Sequence, residues 1–248
     1  MTDRVAIITG GSRGIGRATA IAAASRGFRV CVGYASNEAA AISVVSTIEA
    51  KNGKAIAIKC DVRKETDILA LFEAADKFGT LGALVNNAGI VDKASRIDEM
   101  SAERLQRMMA INVIGSILCA REAVKRMSTR HNGKGGVIIN LSSVAAKLGS
   151  PNTYVDYAAS KGAIDSFTIG LGYEVAAEGI RVAAIRPGLI DTEIHALSGE
   201  PDRAHRLGHT VPMKRAGTAD EIANAIVWLM SDNASYVTSA ILDVSGGR

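Results

Sequence analysis

Five tyrosines occur in this 248-residue chain, and one of them, Tyr157, is followed four positions later by a lysine, Lys161. Residues at i and i+4 share one face of a helix, so a helical stretch here would put a phenol beside an ammonium group. A free tyrosine titrates at about pH 10, too high for acid/base work near neutrality, and a neighbouring positive charge lowers that value. Tyr34, Tyr154, Tyr173 and Tyr236 are followed at the same spacing by Glu38, Ala158, Ala177 and Ala240, none of which can act in this way. A Tyr-x3-Lys pair by itself is common on solvated helices. This one comes after a short apolar run at 137–141 and the serine pair Ser142-Ser143, which sets hydroxyl donors upstream of the phenol.

The other residues able to do chemistry open the chain. An apolar run at 5–8 leads into Thr9-Gly10-Gly11-Ser12-Arg13-Gly14-Ile15-Gly16 and then into a helix-like segment. Glycines at a strand-to-helix turn let the backbone bend tightly and approach a pyrophosphate, whose charge then meets free N–H groups at the helix N-terminus. Gly10, Ser12, Arg13, Gly14, Ile15 and Gly16 are therefore candidate dinucleotide-binding residues. Their spacing is Gly-x3-Gly-x-Gly, and a tight turn alone would also call for glycine, so the inference rests on the position between first strand and first helix. Folds of this kind that prefer NAD place an acid about 20 residues after the glycines, on the ribose 2′-hydroxyl. That count reaches Ser36, and Ser36-Asn37 offers no carboxylate before Glu38, while Arg13 can face a 2′-phosphate with its guanidinium fork. NADP(H) is expected over NAD(H), with Ser36 and Asn37 on the ribose side.

Strands that end at a common edge are needed to bring these groups together. Short Val- and Ile-rich runs at 5–8, 30–32, 55–58, 83–85, 137–141, 182–185 and 241–244 are continuous rather than alternating, as expected of strands covered on both faces. Helix-like segments at 14–26, 37–51, 66–78, 110–127, 155–178 and 219–230 separate them, several closed by a glycine such as Gly27, Gly53, Gly79 or Gly179. Repeated strand-helix-strand units predict an α/β fold, Rossmann-type and doubly wound, with a seven-stranded parallel sheet and helices on both faces. Such sheets bind ligands at the carboxyl ends of their strands, where the glycine loop and the tyrosine segment converge. Residues 188–218 hold two prolines and three histidines with little periodicity, long for a plain connection. They are expected to form a lid over the substrate.

Bulk properties narrow the classes. Apolar residues make up 48% of the chain and are spread evenly, which favours one domain over 1–248. Cys31, Cys60 and Cys119 are odd in number and widely spaced, suggesting neither a disulfide framework nor a thiolate metal site, and a reducing cytoplasm is expected. No apolar run approaches the roughly 20 residues that cross a bilayer, so no membrane partner is expected. Net charge is +4, but the cations are scattered and only four Phe and one Trp exist to stack bases, which argues against nucleic acid. His205 and His209 lie four apart with His195 nearby, yet there is no HExxH and no third ligand in a recognisable pattern, so no metal is expected.

Over essentially its whole length the chain resembles the short-chain dehydrogenase/reductase family in its compact single-domain form. The matching pieces are the glycine loop, Asp61-Val62, Asn86-Asn87-Ala88-Gly89, Asn112 within Ile111-Asn112-Val113, Ser142-Ser143, Tyr157-Ala158-Ala159-Ser160-Lys161, Pro187-Gly188 followed by Thr192, and the ending Leu242-Asp243-Val244-Ser245-Gly246-Gly247. The resemblance implies hydride transfer between a nicotinamide and a carbonyl or alcohol carbon. Tyr157 would exchange the proton, Lys161 would lower its pKa and hold the nicotinamide ribose, and Ser143 would hydrogen-bond the carbonyl oxygen. Asn112 would hold a relay water beyond Lys161, or else serve as a helix-kink residue satisfying backbone groups. Asp61 and Val62 would touch adenine, Asn87 with Ala88 and Gly89 the ribose side, and the segment from Pro187 and Gly188 through Ile190 to Thr192 the carboxamide.

Ser143 stands 14 residues before Tyr157, one more than the family spacing, which implies an extra residue in the loop at 146–153 and leaves Ser142 as an alternative donor. The resemblance implies a small carbonyl or alcohol compound as substrate. 3-Oxoacyl carrier-protein reductases and glucose dehydrogenase-like enzymes are both similar, with Arg126 and Arg130 available to dock an acidic carrier, and a non-catalytic NADP(H)-binding regulator is the reading from another class. A homo-oligomer, tetramer or dimer, is implied through the long helices after the fourth and fifth strands.

Overall fold

In the computed structural model, residues 3–197 and 199–248 are described, except for the side chains at 195 and 197. The chain begins β1 (Arg4–Ile8), α1 (Gly14–Ser25), β2 (Arg29–Tyr34), α2 (Glu38–Glu49), β3 (Lys54–Lys59), α3 (Glu65–Phe78) and β4 (Thr80–Asn86). It continues with α4 (Ala102–Met109), α5 (Gly115–Met127), β5 (Gly136–Leu141), α6 (Ala145–Leu148), α7 (Val155–Val175) and β6 (Ile180–Pro187). The last part holds β7 (Ile190–Asp191), α8 (Ile194–Leu197), α9 (Arg203–Gly208), β8 (Gly217–Thr218), α10 (Ala219–Met230) and β9 (Ala240–Val244).

Seven strands form one parallel sheet in the order β3-β2-β1-β4-β5-β6-β9. Alternation along each strand sends neighbouring side chains to opposite faces, and both faces are covered. On β1, Ala6 and Ile8 pack with Ala20 and Ala23 of α1, Val44 of α2 and Ile222 of α10. Val5 and Ile7 point the other way, onto Leu71 and Phe72 of α3 and Ala120 and Ala123 of α5. This is the doubly wound architecture that continuous apolar runs imply.

Three local features depart from the sequence pattern. The helix expected at 110–127 starts earlier, at Ala102, and passes through a π-helical turn at Ala110–Ile114 before α5. The early part escapes periodicity because Met108 is its one buried residue; Ser101 caps it by accepting from the Arg104 N–H. At the other end of the site, α7 stops at Val175, with a 3-10 turn at Ala176–Glu178 before Gly179 in the left-handed region. The 188–218 stretch is not structureless either. β7 and β8 pair as a two-residue parallel ladder that joins its two ends, and α8 and α9 lie between them. Its exit is fastened by a capping box in which Thr218 and Glu221 satisfy each other's backbone N–H, with Arg215 holding the Glu221 carboxyl at about 2.

Among the described residues, no helix is long and apolar enough to cross a membrane. The three cysteines are buried free thiols, and burial pushes Cys31 and Cys60 up to about 12. At that value they stay protonated and inert near neutrality.

Candidate active site

Strand order reverses between β1 and β4, and the segments leaving these two strands are stapled together. The Thr9 hydroxyl accepts from the N–H groups of Asn87 and Ala88 at 3.1 and 3.0 Å, and Asn87 Nδ2 donates to the carbonyls of Thr9 and Gly10, both at 2.9 Å. Thr9 therefore ties the segments after β1 and β4 together at the switch point, a role its place in the glycine run did not signal. Gly16 explains itself by close approach: a Cβ there would stand 2.3 Å from the Gly10 carbonyl oxygen and 2.4 Å from Asn87 Nδ2. Gly10 and Gly14 have φ of +62° and +50°, which disfavours a side chain. The α1 N-terminus carries no side-chain cap and no acid in its first turn, leaving its N–H groups for an anion.

A cavity of about 350 Å³ lies beside this turn, lined by Gly10, Ser12, Arg13, Gly14 and Ile15 from the glycine loop, and by Ser36 and Asn37 after β2. Asp61 and Val62 after β3, and Asn87, Ala88 and Gly89 after β4, close it. Gly16 and Asn112 are not among the residues that line it. Arg63, which sequence reasoning missed, also lines it and grips Asp61 with Nε and Nη2, which holds that carboxyl below its usual range. Asn37 caps α2 by accepting from the Ala40 N–H at 3.0 Å. The nearest acid after β2, Glu38, hydrogen-bonds the Tyr34 hydroxyl and does not line the cavity; burial first, then Glu38, pushes Tyr34 up. Arg13 is exposed, with no ion-pair partner among the described residues.

A second cavity, of about 390 Å³, shares Ile15, Asn87, Gly89, Thr192 and Ile194 with the first, so the two form one continuous groove. Tyr157, Lys161, Ser142, Ser143, Pro187, Gly188, Ile190 and Thr192 line it. Thr192 leans over the glycine loop, 3.4 Å from where a Gly14 Cβ would be. One helix face carries both Tyr157 and Lys161, with Lys161 Nζ 5.6 Å from the phenol ring centroid. Nζ donates to the Leu141 carbonyl at 2.6 Å. Burial lowers Lys161 to about 8, against an opposing pull from Asp165 one turn on. The expected acidification of Tyr157 is not present in the chain alone: burial pushes the phenol up, and a hydrogen bond with Ser143 partly offsets this.

The two serines take different tasks. Ser142 Oγ donates to the Lys161 carbonyl at 3.2 Å and so braces α7, while Ser143 Oγ accepts from the Ala145 N–H at 3.1 Å and meets the Tyr157 hydroxyl. The additional residue between Ser143 and Tyr157 is absorbed by α6 and a loop with Gly149, Ser150 and Asn152 at φ of +71°, +45° and +60°.

Asn112, inside the π turn and 1% exposed, has its side chain committed. Oδ1 accepts from the Ile90 N–H at 2.9 Å, and Nδ2 donates to the Ile90 carbonyl at 3.0 Å and to Ser160 Oγ at 3.1 Å. Gly89 sits between Asn112 and Lys161; a Cβ there would be 3.4 Å from Oδ1 and 3.6 Å from Nζ. Asp156, the residue before Tyr157 in sequence, is held by Arg104 through Nε and Nη2 at 2.8 and 3.1 Å, and Arg104 Nη1 donates to the Lys93 carbonyl at 2.7 Å. This largely buried pair locks α4, the loop after β4 and the start of α7 into one unit.

Among the described residues, no group of three His, Cys, Asp or Glu side chains is arranged to hold a metal. His205 stands 3.8 Å from Asp191, and the His195 side chain lies outside the described residues. Arg126, a candidate carrier-docking residue, is engaged by Asp76 and Glu122.

Comparison with known proteins places these features in context. The model of the family described as enoyl-(acyl carrier protein) reductase matches residues 10–248. The uncharacterized oxidoreductase YgfF of Escherichia coli strain K12 is 52% identical over 245 residues, 98% of this chain and 99% of that protein. Glucose 1-dehydrogenase 2 of Bacillus subtilis strain 168 is 40% identical over 248 residues, 100% of this chain and 95% of that protein. Among solved structures, a variant short-chain dehydrogenase/reductase from Serratia marcescens superposes with a TM-score of 0.90 at 33% identity, covering 98% of this chain and 97% of that one.

Proposed function

The chain belongs to the short-chain dehydrogenase/reductase family of oxidoreductases, and we propose that it interconverts a carbonyl and an alcohol with NADP(H), using Tyr157 as acid/base. The observation that carries this reading is the placement of Tyr157, Ser143 and Lys161 on one cavity continuous with the glycine-loop groove, with Lys161 Nζ 5.6 Å from the centroid of the phenol ring. Burial keeps Tyr157 protonated near neutrality, the form that gives a proton to a developing alkoxide. Ser143 donates to the same oxygen as charge builds on it. Lys161, largely protonated below its value of about 8, draws the phenol toward ionisation as the proton leaves. Asn112 acts beneath them by fixing Ile90 and Ser160.

The residues present fit a dinucleotide phosphate. The Gly10–Gly16–Asn87 cradle has no room for a Cβ, and the α1 N-terminus is uncapped. Ser36 and Asn37 line the cavity after β2, where an acid selecting NAD would be expected, Glu38 is turned to Tyr34, and Arg13, without an ion-pair partner among the described residues, would take a 2′-phosphate. When bound, the cofactor supplies or accepts the hydride. Asp61, Val62 and Arg63 would flank the adenine side, and residues 187–192 the nicotinamide side.

We read residues 1–248 as one cytoplasmic catalytic domain with 188–218 as its lid, assembled as a homo-oligomer. Ile114 and Ile117 on one helix and Ile169 and Tyr173 on another are exposed apolar groups suited to that assembly. The deciding experiment is an NADPH-oxidation screen over ketones, 3-oxoacyl thioesters, quinones and sugars. Tyr157→Phe is expected to lower kcat by roughly 100-fold or more while cofactor affinity is kept. Cofactor binding with no turnover of any compound would instead make the chain a regulator. Arg13→Gln is expected to reduce kcat/KM for NADPH by roughly tenfold and leave NADH nearly unchanged. Equal effects on both cofactors would remove the 2′-phosphate assignment.

A further inference from the structure

The charged side chains among the residues lining the cavity beside Tyr157 are of one sign. Lys161, Arg203 and Arg248 line it, and no Asp or Glu does among the described residues. Lys161 lies under the phenol, whereas Arg203 enters from α9 in the lid. The Arg203 guanidinium is fixed in place: it stacks 5.2 Å from the Tyr154 ring centroid, Nη1 donates to Glu200 Oε1 at 2.7 Å, and 22% of the side chain is exposed. Glu200 does not cancel this charge. It also accepts the Tyr154 hydroxyl at 3.0 Å and the Arg206 guanidinium, and it stays outside the cavity lining. One carboxylate thus serves two guanidinium groups and a phenol, leaving the cluster net positive. Among the described residues, the bond to Glu200 engages one of the five N–H donors of Arg203, which leaves others for a ligand.

Much of the remaining wall is apolar, with Val91, Val144, Leu148, Leu189 and Ile194. A neutral polyhydroxylated molecule would leave hydroxyls facing hydrocarbon, whereas a molecule with a short apolar spacer and one anionic end would satisfy both kinds of surface. We propose that the substrate carries an anionic group, carboxylate or phosphate, that binds Arg203 while its carbonyl or alcohol carbon lies at Tyr157. This rests on the carbonyl–alcohol reading of the site. Arg248 also lines the cavity, and Ser245 Oγ donates to its main-chain oxygen at 2.9 Å. Arg203 is then a specificity-determining residue, and fastening the lid through Glu200 and Tyr154 also sets the anion-binding group.

The test compares matched pairs. Acetoacetate, levulinate and benzoylformate are each set against their methyl esters, and dihydroxyacetone phosphate against dihydroxyacetone. Both kcat/KM with NADPH and calorimetric binding, with and without NADP+, are measured. The charged member of at least one pair is expected to be favoured by roughly tenfold to a hundredfold, the range of a charge-assisted hydrogen bond, and the carboxylate and phosphate arms separate the two anion types. Arg203→Gln should abolish the preference and Arg203→Lys should keep part of it. Arg206→Gln, which shares Glu200 but does not line the cavity, should leave it intact. Turnover of both members without preference, or a preference that survives Arg203→Gln in a variant of unchanged thermal stability, overturns the proposal and leaves the redox reading standing. If no compound is turned over, the redox reading falls, and binding decides the proposal: an Arg203-dependent preference for the anion sustains it, and equal binding or none overturns it.

Discussion

Asn112→Ala separates chemistry from architecture at the π turn. Alanine removes the acceptor for the Ile90 N–H, the donor to the Ile90 carbonyl and the donor to Ser160 Oγ, whose residue is 0% exposed. A buried polar group left without a partner costs about 1–3 kcal/mol, and Ile90 is only half-buried, so water takes up part of its loss. The expected total is about 2–4 kcal/mol. For a chain of this size each kcal/mol moves Tm by about 2–4 °C, so a fall of about 5–15 °C is expected. Circular dichroism melts of parent and variant measure it, with kcat determined well below the variant's Tm. Turnover should fall too, because Ser160 lies one residue before Lys161 and Gly89 sits between Asn112 and Lys161 Nζ. A variant that loses turnover while its Tm stays within 1 °C or so of the parent refutes the reasoning and assigns Asn112 to the reaction itself.

Two further outcomes test the burial of charge around Tyr157. Lys161 is lowered from 10.5 to about 8, so the folded state binds it less tightly to its proton than the unfolded chain does. Below pH 8 the burial penalty, about 3 kcal/mol for that drop, is present in full; between pH 8 and 10.5 the unfolded chain holds more protons and stability rises with pH. Lys161→Met is therefore expected to be more stable than the parent at pH 7, with the gap closing across that window in urea titrations; a gap independent of pH counts against it. Asp156→Ala strands the Arg104 guanidinium, whose side chain is 10% exposed, and should cost about 3–5 kcal/mol, most of it recovered in the double variant with Arg104→Met. Equal midpoints for the single and double variants would mean the pair is not coupled.

Much of this molecule can be read before folding because it depends on local geometry. Continuous apolar runs such as 137–141 mark strands covered on both faces whatever lies next to them. The i,i+4 spacing of Tyr157 and Lys161 puts both on one face of any helix, and glycine at positions 10, 14 and 16 answers to backbone conformation and close approach at a strand-to-helix turn. The polar stretch of α4 gave no such signal, since its periodic face buries little more than Met108.

What only the tertiary structure decided are the pairings between segments far apart in the chain. Ser142 and Ser143 are chemically alike, and it is the placement of α7 against β5 that turns one to the Lys161 carbonyl and the other to the Tyr157 hydroxyl. Asn112 finds Ile90 across 22 residues, Thr9 finds Asn87 across 78, and Arg203 reaches Tyr154 from the aperiodic 188–218 segment. Periodicity is set by covalent geometry within a few residues, whereas these contacts depend on which strands lie side by side. β1 next to β4 is a property of the whole sheet, and the loops that meet at their ends acquire their partners from it.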